Sequence, residues 1–194
     1  MFKETTNLKA GEMDRLLEQN GINTNAATWL DWTYYMEHLP ADRLELVMRL
    51  EADRMENMIL NREQLDTERE VVKNERLLRV DNDPEGQLYE VLYKAHFGGH
   101  PYGHPTIGWM ADIEAIPLAD CLEFYRVFYS PSNATVVVVG DVDTREVLAL
   151  AQKYYGHIEA QPVPARPDEP PLPSRPEKQE VLPLAVSAPK FIAL

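Results

Sequence analysis

Helical and extended patterns follow one another along the chain. Glu12 to Asn20 reads as a short helix, and Gly21 stands where a left-handed residue would close it. Ile22 to His38 reads as extended: Thr28, Trp29, Trp32, Thr33, Tyr34 and Tyr35 are strand formers, and Leu30-Asp31 marks a bend between two strands. Pro40 opens a helix whose Leu44, Val47, Met48, Met55 and Met58 or Ile59 recur at helical spacing, a stripe read as core. A break near Asn61 precedes a helix carrying Glu68 to Glu75. Asp83 as cap and Pro84 at the first helical position start another, with Leu88, Val91 and Leu92, that ends before Gly98-Gly99.

A loop from Gly98 to Gly108 leads to a helix around Ala119 to Tyr129, broken by Ser130-Pro131. Val136 to Val139 form a continuous β-branched run, which predicts a central strand buried on both faces. Gly140 to Asp143 turns the chain into a last helix, capped by Thr144 and running to about Tyr155. Prolines 162, 164, 167, 170, 171, 173 and 176 then mark a semi-rigid extended linker, and Val181 to Leu194 regains strand character within the limits set by Pro183 and Pro189. The order predicts an α+β fold, an antiparallel-rich sheet covered by helices. It also divides the chain into a body over 1–160, a linker over 161–178, and the start of a further segment over 179–194, cut mid-strand.

Glu68 and Glu75 lie seven residues apart on one helix, nearly two turns, and therefore project the same way. Val71 and Val72 lie between them and Leu78 follows, so the acids share an apolar stripe while Arg69, Glu70, Lys73 and Asn74 take the solvent side. Two acids facing a core need an Arg, a protonated His or a metal ion. The alternative is a shallow stripe on which both acids reach water.

Composition narrows the classes. The 194 residues are 44% apolar, enough for a sizeable core. With 19 Lys plus Arg against 32 Asp plus Glu the net charge is −13, which argues against nucleic acid and anionic membranes as partners. No apolar run reaches the length of a membrane helix, and the first six residues lack a secretory apolar stretch. Cys121, the single cysteine, reads as a core residue.

Phe2-Lys3, Leu8, Gly11-Glu12, Asn25-Ala26 with Thr28, Leu39-Pro40, Glu68-Arg69, Val71-Val72 with Glu75, Asn82-Asp83-Pro84, His100-Pro101-Tyr102-Gly103, and Asn133-Ala134-Thr135 to Gly140-Asp141 stand in an ordered series. In that order they resemble the pitrilysin/insulinase family, zinc peptidases of the inverted H-x-x-E-H type similar to the β subunit of the mitochondrial processing peptidase. The resemblance covers residues 1 to about 160. It implies a zinc metalloendopeptidase in which Glu75 is a metal ligand, Glu68 supports the site from behind, and substrate is added as a strand beside Asn25, Ala26 and Thr28. It also implies that the body over 1–160 lacks the domain's first strands and its H-x-x-E-H helix, which lie before Met1, so both His ligands and the catalytic Glu fall outside this chain. Glu4, where the family often has Gly, and Ile22, where a second Gly usually follows Gly21, are lesser departures.

One zinc ligand of three does not hold the metal tightly, so the chain alone is expected to be inactive, a fragment of the peptidase. The alternatives are a non-catalytic peptide-binding or scaffolding subunit of a peptidase assembly and a plain interaction domain. Expected partners are a peptide or unfolded polypeptide, together with a second copy of the chain or a complementary peptidase half covering an exposed edge, with Met1 and Phe2 as another means of covering it. His100 and His104 have the spacing of a helical metal pair, but Pro101, Gly103 and Pro105 forbid a helix, and backbone hydrogen bonds are the expected role of their rings. His38, His96 and His157 read as surface or boundary residues. Periplasm and cytoplasm both remain open.

Overall fold

The computed structural model describes residues 4–165 and Asp168. The proposed docking of Met1 and Phe2, most of the proline-rich linker and the segment 179–194 lie outside the described residues. The chain divides into two compact units, the described residues of one lying in 1–62 and 117–165 and those of the other in 63–116 and at Asp168.

The first unit begins with α1 (Glu12–Gln19). Its end closes as the glycine predicts: Gly21 has φ 68, its N–H reaches the Glu18 carbonyl at 3.1 Å, and the Ile22 N–H reaches the Leu17 carbonyl at 2.9 Å. That paired closure turns Ile22 back onto Leu17, and both are buried. β1 (Asn23–Thr28) and β2 (Thr33–His38) form an antiparallel hairpin, with Asn25 opposite Met36 and Ala26 opposite Tyr35. The Trp29 N–H bonds to the Trp32 carbonyl at 2.8 Å across the Leu30-Asp31 bend.

α2 (Leu44–Asn57) follows a short 3₁₀ turn and buries Leu44, Val47, Met48 and Leu50. Met13, Leu17, Ile22, Val47 and Leu50 form the core cluster, with Leu8, Leu16, Leu39 and Leu46 packed against it. The unit is completed by α6 (Leu118–Phe128) and α7 (Thr144–Tyr155). Asp143, rather than Thr144, caps α7: its Oδ1 accepts from the Arg145 and Glu146 N–H groups at 2.8 and 3.3 Å. The carboxylate one residue earlier lies over the free N–H groups, and Thr144 is already helical. Cys121 is half-buried on α6.

The run 134–139 corrects the central-strand expectation. It joins no sheet, and β1 and β2 are the only strands of the sheet among the described residues. Val137 is 77% and Val139 91% exposed. A β-branched run prefers extended backbone, but a strand also needs a neighbouring edge to bond, and the described residues supply none here.

The second unit holds α3 (Arg62–Arg76), which continues through a single π turn over Leu77–Asp81, then α4 (Pro84–Phe97) and α5 (Met110–Ala115). α5 was not anticipated. Asp83 caps α4 as expected, its Oδ2 accepting the Gly86 N–H at 2.9 Å with Pro84 in the first turn. Replacing Asp83 by Ala should lower stability by about 1 kcal/mol, read as a shift of the urea midpoint at constant slope.

Candidate functional site

The helix α3 presents two different faces. Arg69, Lys73 and Arg76 recur at i, i+4 and i+7 on one side and point inward. Arg69 donates from Nε to the Ile113 carbonyl at 3.1 Å and from Nη2 to the Ile116 carbonyl at 2.5 Å. Lys73 pairs with Glu70 at 3.0 Å and Glu114 at 3.6 Å. The Arg76 side chain is 6% exposed; it forks onto Glu90 at 2.8 and 3.2 Å, reaches Asp81 at 3.1 Å, and donates to the Gly108 carbonyl at 2.8 Å.

Glu68 and Glu75 occupy another face, roughly a quarter turn away. This overturns the expected polarity of α3: the basic side chains are the packed ones, while Val71 is exposed and Leu78 is 74% exposed. The cause is the 109–116 segment, whose backbone carbonyls and Glu114 offer acceptors that only long cationic side chains can use while burying their stems. Glu68 is half-buried. The Glu75 side chain is 38% exposed, and Arg79 Nε lies 3.1 Å from its Oε1. No group of three or more His, Cys, Asp or Glu arranged for a metal ion occurs among the described residues. Among the described residues, Glu68 and Glu75 therefore share a face of α3 without belonging to a closed set of zinc donors.

Asn25, Ala26 and Thr28 are exposed on β1, whose second edge has no strand beside it among the described residues. Asn25 Oδ1 accepts from the Ala26 N–H at 2.8 Å. His100 is buried, and its Nδ1 accepts from the Tyr102 N–H at 3.2 Å; His104 Nδ1 lies 3.1 Å from the Pro105 carbonyl and Nε2 lies 3.4 Å from Asp112. The proline-rich turn thus engages its imidazoles as structural groups.

A cleft of about 910 Å³ opens within the first unit between β2 and residues 134–139. Its floor carries a polar cluster that the sequence pattern did not single out. Arg54 is buried, pairs with Glu51, and sets its guanidinium 3.8 Å from the Tyr35 ring centroid. The hydroxyls of Tyr35 and Tyr129 are 2.5 Å apart. A usable signal was present: Arg54 falls on the apolar stripe of α2 at helical spacing from Val47 and Leu50, and an Arg there requires an acid within reach, which Glu51 supplies at i−3.

Burial pushes the Glu37 carboxyl from 4.5 up to about 7, with Glu51 adding to the rise while Arg54 and the Thr24 hydroxyl oppose it. Burial also raises the phenols of Tyr129 and Tyr155. For Glu37 the folded state binds the proton more tightly than the unfolded state. Its favourable contribution is complete below about pH 4.5 and is lost as pH rises through about 7. Glu37→Gln should therefore be more stable than the parent above pH 7 and gain nothing near pH 4.5, as checked by urea midpoints at the two pH values.

The profile described as Insulinase (Peptidase family M16) matches residues 1–109, and one described as Peptidase M16 inactive domain matches residues 115–189. A zinc protease of Helicobacter pylori, PqqE, is 38% identical over 154 residues, covering 79% of this chain and 35% of the relative. The crystal structure of a protease from Helicobacter pylori superposes with a TM-score of 0.82 at 36% identity over 87% of this chain and 42% of that one. That of the first half of the periplasmic protease PqqL from Escherichia coli gives 0.77 at 22% identity over 87% and 37%, a likeness of fold. The fold and sequence together place the chain in the insulinase family of metallopeptidases, peptidase family M16. It spans about a third of the length of the curated relatives it matches.

Proposed function

We propose that this chain is part of a zinc-dependent metalloendopeptidase. It contributes Glu75 as a metal ligand with Glu68 behind it, and it offers the outer edge of β1 at Asn25, Ala26 and Thr28 to an extended peptide. The two His ligands and the general base come from an H-x-x-E-H helix on polypeptide outside these 194 residues, either continuous with the chain or in a complementary half.

The observation that carries this reading is the division of α3. Its Arg69, Lys73 and Arg76 face is satisfied by the second unit itself, while on the face that carries Glu68 and Glu75 the apolar Val71 and Leu78 are exposed and the Glu75 carboxylate meets a largely exposed Arg79. On β1, Asn25 Oδ1 is engaged by Ala26, which leaves Nδ2 as a donor for a peptide carbonyl, and Ala26 has no bulk to obstruct it.

The chain alone should show no chelator-sensitive cleavage of an unstructured peptide and no stoichiometric zinc. Supplied with the H-x-x-E-H polypeptide of the family, it should gain both. Failure of that combination to take up zinc would overturn the metalloendopeptidase reading. Peptide binding at β1 without zinc would favour the alternative, a non-catalytic peptide-binding or scaffolding subunit, a reading supported by the β1 edge that no strand covers among the described residues.

A further inference from the structure

The hairpin of the first unit has two unlike faces. By strand alternation Thr24, Ala26 and Thr28 lie on one face opposite Glu37, Tyr35 and Thr33, and that face meets α2, where the Arg54 guanidinium stands over the Tyr35 ring. The other face carries Asn25 and Ala27 opposite Met36 and Tyr34. Trp29 and Trp32 continue it past the end of the ladder, joined by the bond from the Trp29 N–H to the Trp32 carbonyl. They are 54% and 52% exposed, and Tyr34 is exposed beside them, its ring centroid 5.1 Å from that of Trp32. Large aromatic rings gathered at one exposed end form a patch, unlike apolar residues scattered singly over a surface, and such a patch marks a contact.

The position of the patch relative to the β1 edge identifies the contact. The Trp29 bond fixes which backbone groups face outward: Trp29, and with it Ala27 and Asn25, turn theirs towards β2, so those of Thr24, Ala26 and Thr28 point to the side that no strand covers among the described residues. Ala26 agrees, since its N–H is taken by the Asn25 side chain and not by β2. Thr28, the last residue of β1, is therefore the last that an added strand can bond. The strand residue opposite Thr28 projects to the α2 side, while its two neighbours, opposite Ala27 and Trp29, project onto the aromatic face. Directly opposed residues have Cβ atoms about 4.5–5.5 Å apart, which sets the side chain opposite Trp29 against the indole. The turn that follows carries an exposed acid, Asp31, which disfavours an acidic residue at this position.

We propose that Trp29, backed by Trp32, is a specificity-determining residue. It takes an aromatic or large aliphatic side chain of an extended peptide bound along β1, at the position next to the one that bonds Thr28. Aromatic pairs gain from ring geometry beyond the area they bury, which ranks Phe above Leu there and Leu above Ala. The inference rests on the reading of β1 as a peptide-binding edge, but it requires neither zinc nor catalysis.

The test uses short synthetic peptides of extended sequence, alike except for one central residue, Phe, Leu, Ala or Glu, added to the full chain. Affinity is read by fluorescence anisotropy of the labelled peptide, and location by amide hydrogen exchange at Thr28. The Phe peptide should bind about tenfold more tightly than the Ala peptide, with Glu the weakest, and each bound peptide should slow exchange at Thr28. Trp29→Phe should keep the preference. Trp29→Thr, which retains strand propensity, should bring the Phe peptide down to the affinity of the Ala peptide and leave the Ala peptide unchanged. A damaged hairpin would instead weaken every peptide alike, and that result would overturn the assignment of Trp29 to specificity. Equal affinity of the parent chain for all four peptides would overturn this inference and leave the β1 reading standing. Absence of Thr28 protection with any peptide would overturn both.

Discussion

Arg76→Ala should destabilise the protein by about 3–5 kcal/mol, the largest effect expected of a single substitution, because it removes a buried cation that serves two partly buried acids. The Glu90 side chain is 19% exposed, and without the guanidinium its carboxylate keeps the desolvation cost and loses the compensation. The Gly108 carbonyl loses its donor in the same substitution. Arg76→Lys should recover only part of the loss, since an ammonium cannot fork onto Glu90 while also reaching Asp81 and the carbonyl. Arg76→Met combined with Glu90→Gln should be milder than Arg76→Ala, because no buried charge is orphaned at Glu90. Urea unfolding at constant slope measures all three. A loss below about 1 kcal/mol for Arg76→Ala would show that both acids find water in the variant.

In the assembled peptidase, Glu75→Gln should reduce zinc affinity by more than about 100-fold, while Glu68→Gln should reduce it by about 10–100-fold, the range for a group acting through a ligand rather than on the metal. The amide of Gln keeps the shape but loses the anionic charge that a zinc-ligating carboxylate supplies. The Glu75 substitution breaks its contact with Arg79, a largely exposed ion pair. The thermal midpoint of the chain alone should therefore barely move for Glu75→Gln, which separates a metal role from a folding role. Isothermal titration with zinc measures the affinities. Equal losses for the two variants would remove the distinction between ligand and supporting residue, and no loss for Glu75→Gln would remove Glu75 from the site.

What the sequence determined by itself is local. The closure of α1 at Gly21, the Asp83-Pro84 start of α4, and the bend at Leu30-Asp31 depend on residues within about five positions of one another, so their chemistry can be read along the chain. The α2 stripe of Leu44, Val47 and Met48 was readable for the same reason, since helical periodicity names a buried face without naming what buries it. The ordered residues of the insulinase family carried the fold class, and the relatives bear that out.

The tertiary structure decided which faces were used. The spacing of Glu68 and Glu75 showed that they share a face but not that Arg69, Lys73 and Arg76 would take the packed one, because that depends on carbonyls at Ile113, Ile116 and Gly108 more than thirty residues away. Val136 to Val139 carried every local sign of an interior strand, yet a strand is completed by a neighbour, and propensity cannot name the distant segment that supplies one. Arg54 reads as a polar interruption of the α2 stripe until Tyr35 and Tyr129 are brought over it from β2 and the end of α6. Short-range steric and hydrogen-bond rules are written residue by residue; burial, pairing and charge compensation arise only where distant segments meet.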